Sequence, residues 1–145
     1  MPGRHPAVEL LSRVPLFETL SNAHLSRVAA LAEESQYNAG RVIVKKDEAG
    51  RAFYVIVEGT AKVVRGKIVT ARGEATLGPG DFFGELSLLD GEPRAATVVA
   101  SSPMTAIRIE RTGFRRLLRE EPDLALKLLE GMARRTRRIL ETPPL

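Results

Sequence analysis

Cysteine and tryptophan are both absent from the 145 residues, and aromatic residues make up only 5%. Without cysteine there is no disulfide framework, no thiol nucleophile and no cysteine-ligated metal, and a cytoplasmic location is the expectation. The two histidines, His5 and His24, have no acid or second histidine at ligand spacing. Surface positions are therefore expected for both, with no metal site and no Ser-His-Asp set. Apolar runs are short, and none approaches the roughly 18 to 20 residues of a membrane span. The first stretch, MPGRHPAVELLSRVP, is broken by Glu9, Ser12 and Arg13 and lacks a small-residue cleavage site, which argues against a secretory signal. Neither an internal repeat nor a low-complexity tract is found, and no constellation of residues points to an enzyme.

What is present fits a folded domain. Apolar residues are 43% and charged residues 28%, and the length allows one domain with a substantial core, spanning 1–145. The net charge of +4 is unevenly placed. Residues 1–107 hold twelve Lys/Arg and twelve Asp/Glu, whereas the last 38 hold ten and six. That basic excess centres on Arg134-Arg135-Thr136-Arg137-Arg138. Such a run is ordinarily a solvated helix face suited to a helix C-terminus. With five residues after Leu140, no DNA-reading domain is expected beyond it.

Three periodicities follow one another. Over 1–34, Leu11, Leu16, Phe17, Leu20, Leu25, Val28, Ala29, Leu31 and Ala32 recur at three- and four-residue steps, predicting helices interrupted at Pro15 and restarted at Ser21. Over 35–110 the period becomes two. Val42–Val44, Phe53–Val57, Ala61–Val64, Lys67–Thr70, Thr97–Val99 and Ala106–Ile109 read as strands separated by glycine-bearing turns. Over 111–140 the helical period returns. Phe114, Leu117 and Leu118 mark one helix, and Pro122 opens a second with a Leu124, Leu128, Leu129, Met132 stripe. Gly131 interrupts that stripe at a point where the helix is expected to bend or fray. The fold class expected is mainly β with flanking helices.

One stretch, 82–98, breaks the strand rhythm: Phe83-Gly84-Glu85-Leu86-Ser87-Leu88-Leu89-Asp90-Gly91-Glu92-Pro93-Arg94-Ala95-Ala96-Thr97-Val98. Gly84 opens about one helical turn, whose free N–H groups suit an anion. The Gly-Glu-Pro turn returns the Arg94 guanidinium over that opening, and a fork of donors facing amides suits a phosphate. Glu85 beside an anion needs another partner, and a ribose hydroxyl fits. The set specifies a singly charged phosphorylated sugar, since a triphosphate would call for a P-loop lysine that the sequence lacks.

The run FGELSLLDGEPRAATV resembles the phosphate-binding cassette of the cyclic-nucleotide-binding domain family. That family includes catabolite-activator-type regulators, cyclic-AMP-dependent kinase regulatory subunits and nucleotide-gated channels. The likeness extends over roughly Leu10 to Leu140, including Ala39-Gly40-Arg41-Val42-Ile43 and Phe53-Tyr54-Val55-Ile56-Val57-Glu58-Gly59. It implies an eight-stranded antiparallel jelly-roll barrel with N-terminal helices and two C-terminal helices. Glu85 matches the acid that holds the ribose 2′-hydroxyl and Arg94 the arginine on the cyclic phosphate. Phe83, Gly84, Leu86, Ser87, Ala95, Ala96 and Thr97 match the rest of the pocket. Arg135 matches an arginine that contacts the base from the C-terminal helix in channel-like members. Lys46 departs from a glycine common at its turn, and Ile139 and Leu140 stand where catabolite-activator-type proteins place hydroxyl residues on adenine. A threonine after the cassette arginine tends to accompany cyclic GMP in the family; Ala95 stands there, favouring cyclic AMP as the ligand over cyclic GMP.

The resemblance thus implies a cyclic-mononucleotide sensor without a cofactor that signals by moving its C-terminal helix. That helix also suits a homodimer or a partner protein. The competing readings are a nucleotide-independent interaction module and the sensor half of a Crp/Fnr-type transcription regulator lacking its DNA-binding domain.

Overall fold

A computed structural model describes residues 6–66 and 76–141. The expected strand at Lys67–Thr70, and His5, lie outside the described residues. In chain order the elements are α1 (Pro6–Leu11), a 3₁₀ turn (Pro15–Phe17), α2 (Asn22–Ala29), β1 (Glu33–Tyr37), β2 (Val42–Val44), β3 (Ala52–Glu58), β4 (Ala61–Gly66), β5 (Thr76–Leu77), β6 (Phe82–Phe83), α3 (Ser87–Asp90), β7 (Ala96–Ala100), β8 (Met104–Glu110), α4 (Arg111–Glu120) and α5 (Pro122–Glu141). They fall into two compact units, residues 6–30 with 116–141 and residues 31–66 with 76–115.

The larger unit is two four-stranded antiparallel sheets, ordered β1-β8-β3-β6 and β2-β7-β4-β5. Among the described residues no strand pairing joins the sheets into a closed barrel, so the expected barrel is corrected to two separate sheets. Period-two alternation places Ala52, Tyr54 and Ile56 of β3, Val98 and Ala100 of β7, and Met104 and Ala106 of β8 in one shared core with Phe83 and Leu77. Burying each large side chain contributes on the order of 1.5 to 3 kcal/mol. β1 begins at Glu33, inside the stretch expected to be helical, because pairing with β8 (Glu33 with Arg108 through Tyr37 with Met104) overrides its polar composition.

In the helical unit, Ser21 caps α2 by accepting the His24 N–H at 3.1 Å. His24 is half-buried rather than fully on the surface, and its Nδ1 is buried without a partner. The α5 stripe is narrower than expected: Leu124 and Leu128 are buried, but Leu129 is 61% exposed. Gly131 does not end α5, which runs unbroken through it. It is buried because a Cβ there would stand 2.9 Å from Thr19 Oγ1, so glycine lets the 3₁₀ turn region approach closely.

Candidate functional site

The cassette hangs from β3 and β6. Tyr54 pairs with Phe83 across the sheet, and their rings stack at 5.0 Å. Gly84, at φ +86°, then turns the chain out of the sheet. An added Cβ there would fall on Arg94 Nη1 and lie 3.0 Å from the Ala52 carbonyl, so both the backbone angle and the close approach require glycine. Bonds from Ser87 N to Gly84 O (3.1 Å), Leu88 N to Glu85 O (3.2 Å) and Leu89 N to Leu86 O (3.0 Å) wind the turn that becomes α3. The Leu86 amide precedes the first of these bonded donors, at the end of the turn where N–H groups have no intrahelical partner. No side chain caps this end.

The return segment is clamped to the turn around Asp47. Gly50 N donates to Glu92 O at 3.1 Å, Arg94 N to Glu48 O at 2.7 Å and Asp47 N to Arg94 O at 2.9 Å. These bonds fix the Arg94 backbone on both sides. Its side chain is 8% exposed. Nη2 donates to the Ala52 carbonyl at 2.5 Å, Nη1 reaches Ser87 Oγ at 3.4 Å, and the guanidinium lies 5.9 Å from the Tyr54 ring centre. Burial pushes the Arg94 pKa down from its ordinary value, and the nearby Arg108 cation pushes the same way. Among the described residues no carboxylate forms an ion pair with it. A buried cation without a carboxylate is an unmet demand for an anion.

An open cleft of about 320 Å³ lies over this point. Phe83, Gly84, Glu85, Leu86, Ser87, Arg94, Ala95 and Ala96 line it, which brings eight of the ten expected site residues together. Thr97 is not among the lining residues: it is buried, and its hydroxyl accepts the Lys46 N–H at 2.8 Å. Arg135 is half-buried on α5, in the helical unit. Val44, Val98, Asp90, Glu92 and Pro93 also line the cleft. The first two come from strands whose register no local motif discloses. The other three lie in the middle of the cassette, where Glu92 and Pro93 are expected as turn residues and Asp90 carries no expected role.

The cleft offers one buried guanidinium, a serine hydroxyl, the Leu86 amide, acidic side chains at Glu85, Asp90 and Glu92, and apolar walls from Val44, Phe83 and Val98. Such a set defines a receptor for a small anion that also bears hydroxyls and an apolar face. Residues 34–121 match the family model described as the cyclic nucleotide-binding domain. The chain belongs to this family, whose members are typically non-catalytic regulatory domains. It is 38% identical over 118 residues to a cAMP-dependent protein kinase regulatory subunit of Aspergillus fumigatus, covering 79% of this chain and 27% of that protein. The chain therefore spans about a quarter of that relative's length. Among solved structures it resembles the N-terminal domain of a transcriptional regulator from Streptomyces coelicolor A3(2), at TM-score 0.77 and 29% identity, with 91% and 93% of the two chains covered. The regulatory domain of Toxoplasma gondii PKA, solved with cAMP, matches at TM-score 0.64 and 28% identity, covering 88% of this chain and 49% of that one. No described helix is long and apolar enough to cross a membrane.

Proposed function

We propose that this chain is a cyclic-nucleotide-sensing regulatory domain that takes cyclic AMP in the cassette cleft, with its two sheets as the halves of a jelly roll. The observation that carries the reading is Arg94, buried and charged, with no carboxylate paired to it among the described residues, in a cleft lined by the cassette. The cyclic phosphate takes the guanidinium and the Leu86 amide, Glu85 takes the ribose hydroxyl, and the base lies toward the apolar wall. Ala95, on the cleft wall, offers no hydroxyl to guanine, and the Toxoplasma relative solved with cAMP points the same way. Arg135 over the base is the proposed link to α5, whose pose then reports ligand if the nucleotide binds one pose better than another. The test is calorimetric titration with cyclic AMP and cyclic GMP. Saturable binding with cyclic AMP tighter is expected, and tighter cyclic GMP, or an Ala95→Thr variant with no gain for cyclic GMP, contradicts the choice of base.

One observation supports partnering through α5. Leu126 (58% exposed), Leu129 (61%) and Leu140 (79%) lie with exposed Ala133 and Thr136 at alternating three- and four-residue steps, the seam of a two-stranded coiled coil. The reading is a homodimer through this seam. Sedimentation is expected to give a dimer for the wild type and a monomer for Leu129→Glu; a monomeric wild type refutes it.

A further inference from the structure

A second cavity, about 390 Å³, is lined by Lys45, Glu48, Arg51, Tyr54, Arg94 and Arg108, together with Ile43, Val44, Ala49 and Ala52. It shares with the cassette cleft only Val44 and Arg94, so Arg94 forms a wall common to both. Its size falls within the roughly 300 to 1,000 Å³ of small-ligand pockets. The cassette reading does not use Lys45, Arg51 or Arg108.

The charge balance of this cavity is one-sided. Among the described residues, four cations face it against one lining carboxylate, Glu48. A second acid, Glu110, is taken up outside the lining by Arg108, whose Nη1 it holds at 2.6 Å. Two positive charges remain unmatched. Two of the guanidinium groups also crowd one ring: Arg94 lies 5.9 Å and Arg108 6.0 Å from the Tyr54 centre, and Arg108 Nε donates to Tyr54 Oη at 3.2 Å. The Arg108 cation acts on Arg94 in the direction that lowers its pKa, and an anion between the two would relieve that repulsion. Arg94 is the most buried of the four, its Nη2 bonded to the carbonyl of Ala52, which itself lines the cavity. Forked guanidinium donors with a lysine at the mouth match the oxygens of a phosphate group.

We propose that this cavity is a second anion site, distinct from the cassette cleft, that takes a small phosphorylated anion of two or more negative charges. Inorganic pyrophosphate is the probe, titrated by calorimetry at an ionic strength of about 0.15 M without any nucleotide, so that the result does not depend on the reading of the cleft. Saturable binding is expected. It should weaken roughly ten- to a hundredfold in Arg51→Glu and in Lys45→Glu, the range for losing a charge-assisted contact. Both residues are exposed, so neither change threatens folding. Leu86→Glu places a negative charge on the exposed lip of the cassette cleft, at a residue that does not line the second cavity, and should leave pyrophosphate affinity within about threefold, since exposed charges are strongly screened at that ionic strength. Absence of saturable binding by the wild type overturns the proposal. So does binding that survives Arg51→Glu and Lys45→Glu but is lost in Leu86→Glu, which would put the anion in the cassette cleft. A chain that binds pyrophosphate as expected but no cyclic nucleotide leaves the second site standing and refutes the cassette reading instead.

Discussion

Three glycines separate backbone strain from steric conflict at the cassette. Gly78 has space for a Cβ and no positive φ; Gly40 has φ +89° and the same open space; Gly84 has φ +86° and a Cβ position already occupied by Arg94 and the Ala52 carbonyl. Alanine at 78 should therefore change stability by no more than about 1 kcal/mol. At 40 it forces an L-residue into the left-handed region, at about 1 to 2 kcal/mol. At 84 the same strain adds to loss of the Arg94 bond to Ala52, about 1.5 to 3 kcal/mol for a charged donor. The sum is roughly 2.5 to 5 kcal/mol. At about 4 °C per kcal/mol for a chain of this size, thermal melting should fall by about 10 to 20 °C for Gly84→Ala and about 4 to 8 °C for Gly40→Ala, with Gly78→Ala near the wild type. Calorimetric melting of the three variants gives the ordering directly. If Gly84→Ala melted no lower than Gly40→Ala, the close packing of Arg94 beneath the cassette turn would be wrong.

Removing the buried charge itself should cost binding far more than stability: Arg94→Met is expected to melt within about 4 °C of the wild type, yet lose on the order of 30-fold in cyclic AMP affinity, about 2 kcal/mol. Tyr37 is held above its ordinary pKa of 10.0, chiefly by burial. Its neutral form is thus favoured in the folded state, so its contribution to stability is present below about pH 10 and lost as pH rises through the folded value. Tyrosinate absorbance should show one late-titrating phenol that Tyr37→Phe removes. Gly131→Ala should fail to gain the roughly 1 kcal/mol that helix propensity offers, because the methyl meets Thr19 Oγ1, which is bonded to the Lys127 carbonyl. In a Thr19→Ala background the same change should be stabilising in urea denaturation, and an unconditional gain would refute the contact.

The elements readable from sequence were those with strong local signals. The Ala52–Glu58 and Met104–Glu110 strands carry apolar runs, and Ser21 and Pro122 mark helix starts. Glu33-Glu34-Ser35-Gln36-Tyr37 escaped because an edge strand with an exposed polar pattern gains its stability from pairing with β8, not from its own composition. The two-residue strands Thr76–Leu77 and Phe82–Phe83 are too short for any period. At the site, the contiguous cassette was legible as a motif because its glycines and Arg94 act within a dozen residues. Val44 was not, since only the register of β2 on β7, Val44 opposite Val98, brings it to the cleft. The second cavity was equally hidden: Lys45, Arg51, Arg94 and Arg108 are spread over 64 residues and meet only in the fold. Gly131 was misread because sequence shows a weak helix former but not the Thr19 packed against it.

The central claim is that the cassette cleft holds a cyclic phosphate on Arg94 and the turn amides. Amide chemical shifts of the isotope-labelled chain, followed while cyclic AMP is added, test it most directly. The account predicts saturable shifts centred on Gly84 to Ser87 and on Arg94 to Ala96, accompanied by a shift of the Arg94 guanidinium and abolished in Arg94→Ala. Shifts that leave these residues unmoved, or that persist unchanged in Arg94→Ala, would contradict it.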